Sequence, residues 1–374
     1  MIERLLEKIV IDNLDKGKAI IIIGPRQVGK TTLVNQIREK IKRKTILFNC
    51  DEIATKNALT QPSINQIKDL IQGYDLVIID EAQRVRNIGL TLKLMVDNFR
   101  DKQLVVTGSS ALELSDSIIE PLTGRKFEYR LYPFSINELK GSFGMFEESK
   151  LLYKRLIYGA YPDVINFPGQ ETEVLNNLTT SYLYKDVFAY QEIRKTELVG
   201  HLLKALAAQV SSEISYNEIA QLLGSDPATI KRYIELLEKA YVVFRLNSFS
   251  RNIRTELRKS RKLYFYDNGI RNAILGNFNS IDTRQDIGQL WENYLISERV
   301  KYLHYEKIYA QQFFWRTKQQ QKIDYLEEID GKLFIWEFKW NPKKRASFSK
   351  TFLNNYQVEE IKTINNENYW EFFK

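Results

Sequence analysis

Short, mostly apolar runs alternate with helical patterns along the first third of the chain. Continuous runs of this kind are typical of strands that are buried on both faces of a parallel sheet. They lie at Ala19–Ile23, Thr45–Asn49, Leu76–Ile79, Leu104–Val106 and Phe127–Leu131. Because segments with helical spacing separate these runs, the pattern predicts a wound α/β sheet.

The pattern changes after about Pro133 and is mostly helical as far as Ser211. Two short helices are predicted next, the first over 216–223. Asp226 is placed as the N-cap of the second helix, with Pro227 at its first position. Two helices that are joined by a short glycine-containing turn and followed by a basic, β-rich segment indicate a winged helix-turn-helix.

The last hundred residues have a third pattern. A helix is predicted around 287–300, followed by aromatic strands and a hairpin that turns at Asp330 and Gly331. In the second strand of this hairpin, the two-residue period places Glu337 and Lys339 on the same face. The sequence therefore predicts an acid and a lysine side by side on one strand.

The segment "GPRQVGKTT" fits the pattern of a P-loop, a glycine-rich loop that binds nucleotide phosphates. It follows an apolar strand and precedes a helix, as that pattern requires. Lys30 would contact the β- and γ-phosphates, and Thr31 would hold Mg²⁺. The residues predicted to bind the nucleotide here are Gly24, Pro25, Arg26, Gln27, Val28, Gly29, Lys30, Thr31 and Thr32.

Two acids follow the strand in "LVIIDEAQ". Asp80 is predicted to hold Mg²⁺ and bind the nucleotide, and Glu81 to orient or deprotonate the attacking water. Ser109, in "VVTGSS" after another strand, is a candidate to face the γ-phosphate. Because the sequence has no Asn-Lys-x-Asp motif for guanine, we expect ATP rather than GTP. These features predict an ATP hydrolase.

Arg125 in "LTGRK" is a candidate arginine finger or sensor for the γ-phosphate. It would act on its own chain, or on a neighbouring chain if the protein forms an oligomer such as a hexameric motor. A surface or ion-paired arginine would give the same sequence. Both interpretations stay open at this point.

The order of several motifs closely resembles that of AAA-type ATPases of bacteria and archaea that carry a C-terminal domain of unknown function. The motifs are "GPRQVGKTT", "LVIIDEAQ", "VVTGSS", "LTGRKFEYRLYPFSINEL", "YGAYPDVI", "KSRKLYFYDNGI" and "IGQLWENYLISE". The resemblance implies an ATPase core, a winged helix and a C-terminal domain with a PD-(D/E)xK nuclease-like fold. We therefore expect an ATPase core at 1–135, a helical lid or connector at 136–210, a winged helix-turn-helix at 211–270 and a nuclease-like domain at 271–374.

Four residues match the nuclease pattern. Asp324 would face Glu337 across the hairpin, and the two carboxylates would hold a second Mg²⁺. Lys339 would stabilise charge or position water, while the metal activates that water against a phosphodiester. The pattern also calls for a helical acid, and Glu292 in "LWENYL" occupies that place. An exposed strand with a salt bridge would give the same E-x-K string, so active and inactive forms both stay open.

Charge favours an anionic partner. The formal net charge is +8, the pI is about 9.1, and basic residues are concentrated from Arg245 to Lys262. Lys231 and Arg232 on the second predicted helix would contact DNA phosphates or groove edges, and the run from Arg251 to Lys262 would add contacts. A winged helix used only for packing or protein binding is the alternative.

Composition limits the remaining classes. With 44% hydrophobic and 27% charged residues the chain is globular, and Cys50, the single cysteine, excludes an internal disulfide. No apolar run reaches the roughly eighteen residues of a membrane span, and the start lacks the features of a signal peptide, so we expect a cytoplasmic protein. Two functions stay open: an ATPase that controls a DNA-binding or DNA-cleaving module, and an ATP-driven switch that binds a protein partner through an inactive nuclease-like domain.

Overall fold

The computed structural model describes residues 2–108, 121–183, 196–251, 261–317, 319, 321–344 and 346–374. The chain divides into two compact units. The N-terminal unit comprises Met1–Phe134 and Lys239–Tyr241, and the C-terminal unit comprises Ser135–Glu238 and Val242–Lys374.

The N-terminal unit contains a parallel sheet of five strands in the order β2-β3-β4-β1-β5. The strands are β1 (Ala19–Ile23), β2 (Thr45–Asn49), β3 (Leu76–Asp80), β4 (Gln103–Gly108) and β5 (Lys126–Arg130). The helices are α1 (Leu5–Ile11), α2 (Lys30–Ile41), α3 (Ile53–Leu59), α4 (Ile64–Ile71) and α5 (Ile88–Asn98). The predicted parallel α/β sheet is confirmed. Because all its strands run the same way, their carboxyl ends lie along one edge, where α/β sheets bind ligands.

Helices follow from α6 onward. They are α6 (Ile136–Phe143), α7 (Met145–Lys150), α8 (Leu152–Tyr158), α9 (Pro162–Asn166), α10 (Glu171–Asn177), α11 (Thr196–Ala208), α12 (Tyr216–Leu222), α13 (Pro227–Lys239), α14 (Asn268–Leu275), α15 (Ile287–Tyr305) and α16 (Lys350–Asn355). The strands are β6 (Glu213–Ile214), β7 (Val243–Ser248), β8 (Arg261–Phe265), β9 (Gln311–Arg316), β10 (Lys322–Ile329), β11 (Lys332–Phe338) and β12 (Val358–Ile364). Among the described helices, none has the length and apolar character needed to cross a membrane.

Strands β6 to β12 form one sheet of seven strands in the order β12-β11-β10-β9-β7-β8-β6. Strand β7 pairs with β9 in parallel, with Asn247 opposite Phe313. The domain boundary predicted at residue 270 thus falls within a continuous sheet. The strands assigned to the winged helix and those assigned to the nuclease-like domain share one hydrogen-bonded framework.

Strand β11 is buried on both faces. Trp336 and Phe338 pack into one aromatic cluster, and Leu333 and Ile335 pack into another on the opposite face. The two-residue period of a strand produces this division. The turn before β11 has positive φ at Asp330 and Gly331, which suits a tight two-residue hairpin.

Two of the motifs in the sequence meet in the C-terminal unit. Asp267 in "YFYDNGI" accepts hydrogen bonds from the backbone amides of Ala160 (2.8 Å) and Ile270 (3.2 Å). Gly159 in "YGAYPDVI" has φ of +69°, and a Cβ there would lie 2.0 Å from Oδ1 of Asp267. Only glycine fits at this position, because a side chain would displace the carboxylate.

Directly before α15 in the chain, Asp286 forms ion pairs with two buried arginines. Asp286 accepts two hydrogen bonds of 2.8 Å from Arg284 and a further one from Arg271. Although burial opposes the change, these bonds lower the pKa of Asp286 from 3.8 to about 2. The carboxylate therefore stabilises the fold while it is ionised.

We expect Asp286→Asn to reduce the free energy of unfolding by about 2 kcal/mol at pH 7, since the pKa shift converts to that order of energy. The folded pKa lies below the unfolded one, so this contribution is complete above about pH 4 and is lost as pH falls towards about 2. Urea unfolding of both proteins between pH 7 and pH 3 measures it. A difference that grows on acidification would contradict the assignment.

Candidate functional site

The P-loop lies at the carboxyl edge of the parallel sheet, between β1 and α2. Gly24 follows the fully buried β1, and a Cβ there would lie 2.2 Å from the carbonyl oxygen of Leu131. Gly29 has φ of +94° and forms the N-cap of α2. The glycines therefore allow a turn that side chains would block, and they direct the start of a helix toward the loop.

Lys30 lies inside this loop with only 4% of its surface exposed. Its ammonium donates hydrogen bonds to the carbonyl oxygens of Gly24 (3.0 Å) and Pro25 (2.8 Å). The positive charge is thus held within the loop, where it could contact the phosphates of a bound nucleotide. Of the other predicted loop residues, Arg26 is half-buried, Val28 is buried, and Gln27 and Thr32 are exposed.

Thr31 and Asp80 meet as predicted for a magnesium site. The Thr31 hydroxyl donates a 2.7 Å hydrogen bond to Oδ2 of Asp80, which ends β3 and is 4% exposed. The other carboxylate oxygen accepts a hydrogen bond from the Thr107 hydroxyl at the end of β4. A hydroxyl and a carboxylate at one point are hard oxygen ligands that fit Mg²⁺ when phosphates supply the rest of the shell.

Glu81 is held in an unusual backbone conformation beside this pair. Its φ is +55°, and its amide donates a 3.1 Å hydrogen bond to the Thr107 hydroxyl. The Gln83 side-chain amide donates to a carboxylate oxygen of Glu81. Positive φ in a residue with a side chain is strained and is common at functional sites. The role of Gln83 was missed, because nothing in the sequence shows that its side chain turns back.

Cys50 packs behind the same carboxylate. Its amide donates a 3.0 Å hydrogen bond to the carbonyl of Asp80. Burial, followed by the negative charge of Asp80, raises the pKa of the thiol to about 12. The thiol therefore stays protonated and acts as a small apolar group that supports the end of β3.

Arg125 lies at the other edge of the sheet. Its carbonyl accepts a hydrogen bond from the amide of Ala19, the first residue of β1, and its guanidinium donates a 2.7 Å bond to Asp97. The P-loop begins five residues later, roughly 15 Å along the strand. Arg125 therefore does not contact a γ-phosphate at its own P-loop, and contact with another chain stays a prediction. Ser109, the other predicted residue near the γ-phosphate, lies outside the described residues.

The second group of predicted residues lies at one end of the β10–β11 hairpin. The backbone amide of Asp324 donates to Oε1 of Glu337 (3.3 Å), and the amide of Phe338 donates to Oδ2 of Asp324 (3.1 Å). Both carboxylates are 2% exposed. Lys339 donates a 3.2 Å hydrogen bond to Glu337, and its ammonium lies 3.9 Å from Asp324. The hairpin register thus brings three of the four residues together.

Glu292, the predicted helical acid, joins them from α15. It accepts 2.8 Å hydrogen bonds from the Lys262 ammonium and the Tyr264 hydroxyl. Burial raises the pKa of Glu292, Lys262 opposes that rise, and Asp324 adds to it. Sequence reasoning missed the pairing of Lys262 with Glu292, since the two lie thirty residues apart.

The surroundings of Asp324 and Glu337 shift the pKa values of these two acids in opposite directions. Burial and then Asp324 raise the pKa of Glu337 to about 7. Burial acts the same way on Asp324, but Lys322 and Lys262 outweigh it and hold the pKa of Asp324 below its usual value. Asp324 is therefore the anionic member of the pair at neutral pH, while Glu337 exchanges a proton easily.

A metal at this second site would have two protein carboxylates within reach. Throughout the described ranges, no three Asp, Glu, His or Cys side chains are arranged so that they could hold a metal ion together. Mg²⁺ is commonly held by one or two carboxylates, with waters and substrate phosphates completing the shell. Asp324 and Glu337 fit that kind of site.

Internal ion pairs use part of the basic concentration between Arg245 and Lys262. Arg245 pairs with Glu238 and donates a 2.7 Å hydrogen bond to the Tyr216 hydroxyl. Lys262 is 7% exposed, so neither it nor Arg245 lies on a free basic surface. Of these two residues, only Lys262 belongs to the run that was predicted to contact DNA, and its burial and pairing with Glu292 contradict that role. A charge count does not reveal such internal partners. Arg254, Arg258 and Lys259 lie outside the described residues.

Exposed basic residues do remain. Arg251 pairs with Glu328 while 53% of its side chain is exposed, and Lys231 on α13 is 55% exposed near Glu235. Arg232 is exposed on the same helix. A surface that could meet phosphates is therefore smaller than the net charge indicates, and α13 contributes to it.

Family models match three consecutive parts of the chain. Residues 16–140 match the model described as AAA domain. Residues 149–281 and 287–368 match two models described as domains of unknown function, DUF8612 and DUF4143.

Similar proteins come from bacteria and an archaeon. An uncharacterized protein of Mycobacterium tuberculosis is 24% identical over 87% of this chain and 71% of its own length. One from Haemophilus influenzae is 26% identical over 68% of this chain and 69% of its own, and one from Methanocaldococcus jannaschii is 26% identical over 79% and 73%.

A solved structure titled "Structure of Drosophila ORC bound to GC-rich DNA and Cdc6" matches with 12% identity and a TM-score of 0.25. It covers 71% of this chain and 88% of that chain, and a TM-score of this size supports no inference. The family matches carry the assignment instead. Residues 16–140, with their parallel sheet and P-loop, support an AAA-type P-loop ATPase, and the match at 287–368 is consistent with a C-terminal domain of unknown function.

Proposed function

We propose that the protein is an Mg²⁺-dependent ATP hydrolase whose nucleotide state controls a DNA-binding and DNA-cleaving C-terminal half. The observation that carries the ATPase part is the convergence of Lys30, Thr31 and Asp80 at one edge of the sheet. Lys30 binds the β- and γ-phosphates after it exchanges its carbonyl partners for them. Thr31 and Asp80 would hold Mg²⁺, which supplies charge neutralisation for phosphoryl transfer.

Hydrolysis, rather than binding alone, is supported by Glu81. Glu81 follows directly after Asp80, and the Gln83 side-chain amide donates a hydrogen bond to its carboxylate. A carboxylate in this place accepts a proton from the attacking water or orients that water toward the γ-phosphate. The strained backbone of Glu81 is consistent with a residue kept for chemistry.

The DNA-binding part is supported by element order. A helix (α11), a short strand (β6), two helices (α12 and α13) and two strands (β7 and β8) follow one another, and β8 pairs with both β6 and β7. This order is consistent with a winged helix-turn-helix and supports that part of the proposal. Lys231 and Arg232 on the second helix of the pair would contact the DNA backbone.

DNA cleavage is supported by the arrangement around β10 and β11. Helix α15, three antiparallel strands, helix α16 and a strand parallel to β11 follow in sequence, as in a PD-(D/E)xK core. Asp324 and Glu337 would hold a metal that makes a water nucleophilic at neutral pH. Lys339 stabilises negative charge on the phosphate, and Glu292 completes the acidic side of the site.

A protein-binding switch with an inactive nuclease-like domain is the second candidate. It is favoured because Arg245 pairs with Glu238 and Lys262 pairs with Glu292. These two cations are therefore not available to a DNA surface. Exposed apolar side chains at Phe143 and Phe146 also suit a protein partner.

ATP hydrolysis measured with Mg²⁺, with and without duplex DNA, separates the two candidates when the same DNA is run on a gel. We expect DNA to stimulate turnover and to be cut, with duplex binding that weakens steeply as salt rises. DNA that neither binds at low salt nor changes turnover would reject the DNA-directed function and favour the protein switch.

A further inference from the structure

Each carboxylate of the candidate nuclease site is paired with its own lysine. Lys262 lies 2.8 Å from Glu292, Lys322 lies 2.8 Å from Asp324, and Lys339 lies 3.2 Å from Glu337. The usual pattern for this fold calls for one lysine, which Lys339 provides. Lys262 and Lys322 are additional, so three lysines lie within hydrogen-bond distance of three acids.

The three lysines differ in solvent exposure, and therefore in how easily each can break its ion pair with a carboxylate. The side chain of Lys262 is 9% exposed and that of Lys339 is 23% exposed, whereas that of Lys322 is 54% exposed. Lys322 precedes Asp324 by two residues on β10, so the two-residue period puts both side chains on one face. Its long, flexible stem lets the ammonium turn to another anion without moving the strand.

Lys322 also covers one of the two carboxylate oxygens of Asp324. The ammonium contacts Oδ1 of Asp324, while Oδ2 of the same group accepts the amide of Phe338. A hard cation binds through the same carboxylate oxygens. An ammonium and a divalent metal therefore compete for Asp324, and a nearby positive charge lowers the affinity for the metal further.

We propose that Lys322 keeps Asp324 from binding a divalent metal until a nucleic-acid phosphate replaces Asp324 as the partner of the Lys322 ammonium. The inference rests on the proposed nuclease function. When a duplex binds, one of its phosphates accepts a hydrogen bond from the Lys322 ammonium. Oδ1 of Asp324 is then free to bind a metal, so that metal and nucleic acid bind together. By linkage, each then raises the affinity of the protein for the other by the same factor.

Calcium binding to the full chain, measured by titration calorimetry without nucleotide, tests this step apart from cleavage. Ca²⁺ is the probe because it takes the same hard oxygen ligands as Mg²⁺. We expect Lys322→Ala to bind Ca²⁺ about tenfold more tightly than the wild type when no DNA is present, since a positive charge next to Asp324 is gone. Lys322→Arg, which keeps the charge, should behave as the wild type does.

Lys332→Ala is the matched control. Lys332 lies on the neighbouring strand β11, is 61% exposed and pairs with Glu359 at 3.5 Å, at the opposite end of the strand from Glu337. Removing it changes net charge equally without touching the site, so its Ca²⁺ affinity should stay within about twofold of wild type. Asp324→Asn reports calcium bound elsewhere in the chain, and that signal is subtracted.

Adding a short DNA duplex completes the test. We expect it to tighten Ca²⁺ binding in the wild type by at least about tenfold and in Lys322→Ala by clearly less, after subtraction of calcium bound by DNA alone. Equal or weaker Ca²⁺ binding by Lys322→Ala without DNA, in a protein with unchanged thermal unfolding, would overturn the role of Lys322. If no protein binds calcium at this site even with DNA, the metal-dependent function itself is rejected, and the inference with it.

Discussion

Lys30→Ala should lower the rate of ATP hydrolysis by at least about 100-fold, because it removes the cation that contacts the β- and γ-phosphates in the transition state. Lys30 is almost fully buried within the loop, and its ammonium contacts the carbonyl oxygens of Gly24 and Pro25. Phosphate release under saturating Mg²⁺ and ATP measures the effect. Lys68→Ala, on an exposed face of α4, controls for the loss of one lysine and should keep wild-type turnover.

Binding and folding must be measured beside turnover. The variant should unfold at close to the wild-type temperature, since the carbonyl oxygens of Gly24 and Pro25 can accept hydrogen bonds from water in place of Lys30. A fluorescent ATP analogue reports whether nucleotide still binds. Wild-type turnover in a folded Lys30→Ala protein would remove the P-loop from the mechanism, and with it the proposed roles of Thr31 and Asp80.

The nucleotide edge of the sheet could be predicted from the sequence because the information is local. Each buried strand is a continuous apolar run, and the residues that follow β1 and β3 are necessarily at the carboxyl edge when the strands are parallel. Thr31 and Asp80 were therefore predicted to meet, although forty-nine residues separate them. The hairpin was predictable for the same reason, since its turn and its two-residue period lie within twenty residues.

Arg125 could not be located in this way. Its position depends on β5 pairing in parallel with β1, so that a residue before β5 lies at the start of both strands, away from the P-loop. Strand order is a property of the whole sheet, and no pattern around "LTGRK" encodes it. Arg130, at the other end of β5, is the arginine that lies opposite the last residue of β1.

Ion pairs between distant segments could not be predicted from the sequence either. Lys262 reads as one of a run of basic residues, yet β8 turns it inward to Glu292 on α15. The sheet that carries it is continuous with the nuclease-like strands through β7 and β9. A wing that binds DNA would therefore share a framework, and one buried salt bridge, with the acids that are proposed to cut it.

Glu337→Gln should abolish metal-dependent DNA cleavage, with a loss of at least about 100-fold, and leave ATP turnover within about twofold of wild type. The substitution removes a metal ligand while its amide oxygen can still accept the Asp324 amide. Because the pKa of Glu337 is raised to about 7, the fold already accommodates a neutral side chain near neutral pH, and we expect little loss of stability.

A gel assay of duplex DNA with Mg²⁺, run beside the ATPase assay, measures both activities of this variant. Glu359→Gln is the control, because Glu359 is a carboxylate on the adjacent strand β12, half-exposed and paired only at the surface with Lys332. It should cleave as the wild type does. Cleavage that survives in Glu337→Gln would place the cutting centre elsewhere. Loss of both cleavage and ATP turnover would contradict the prediction that the substitution affects cleavage alone.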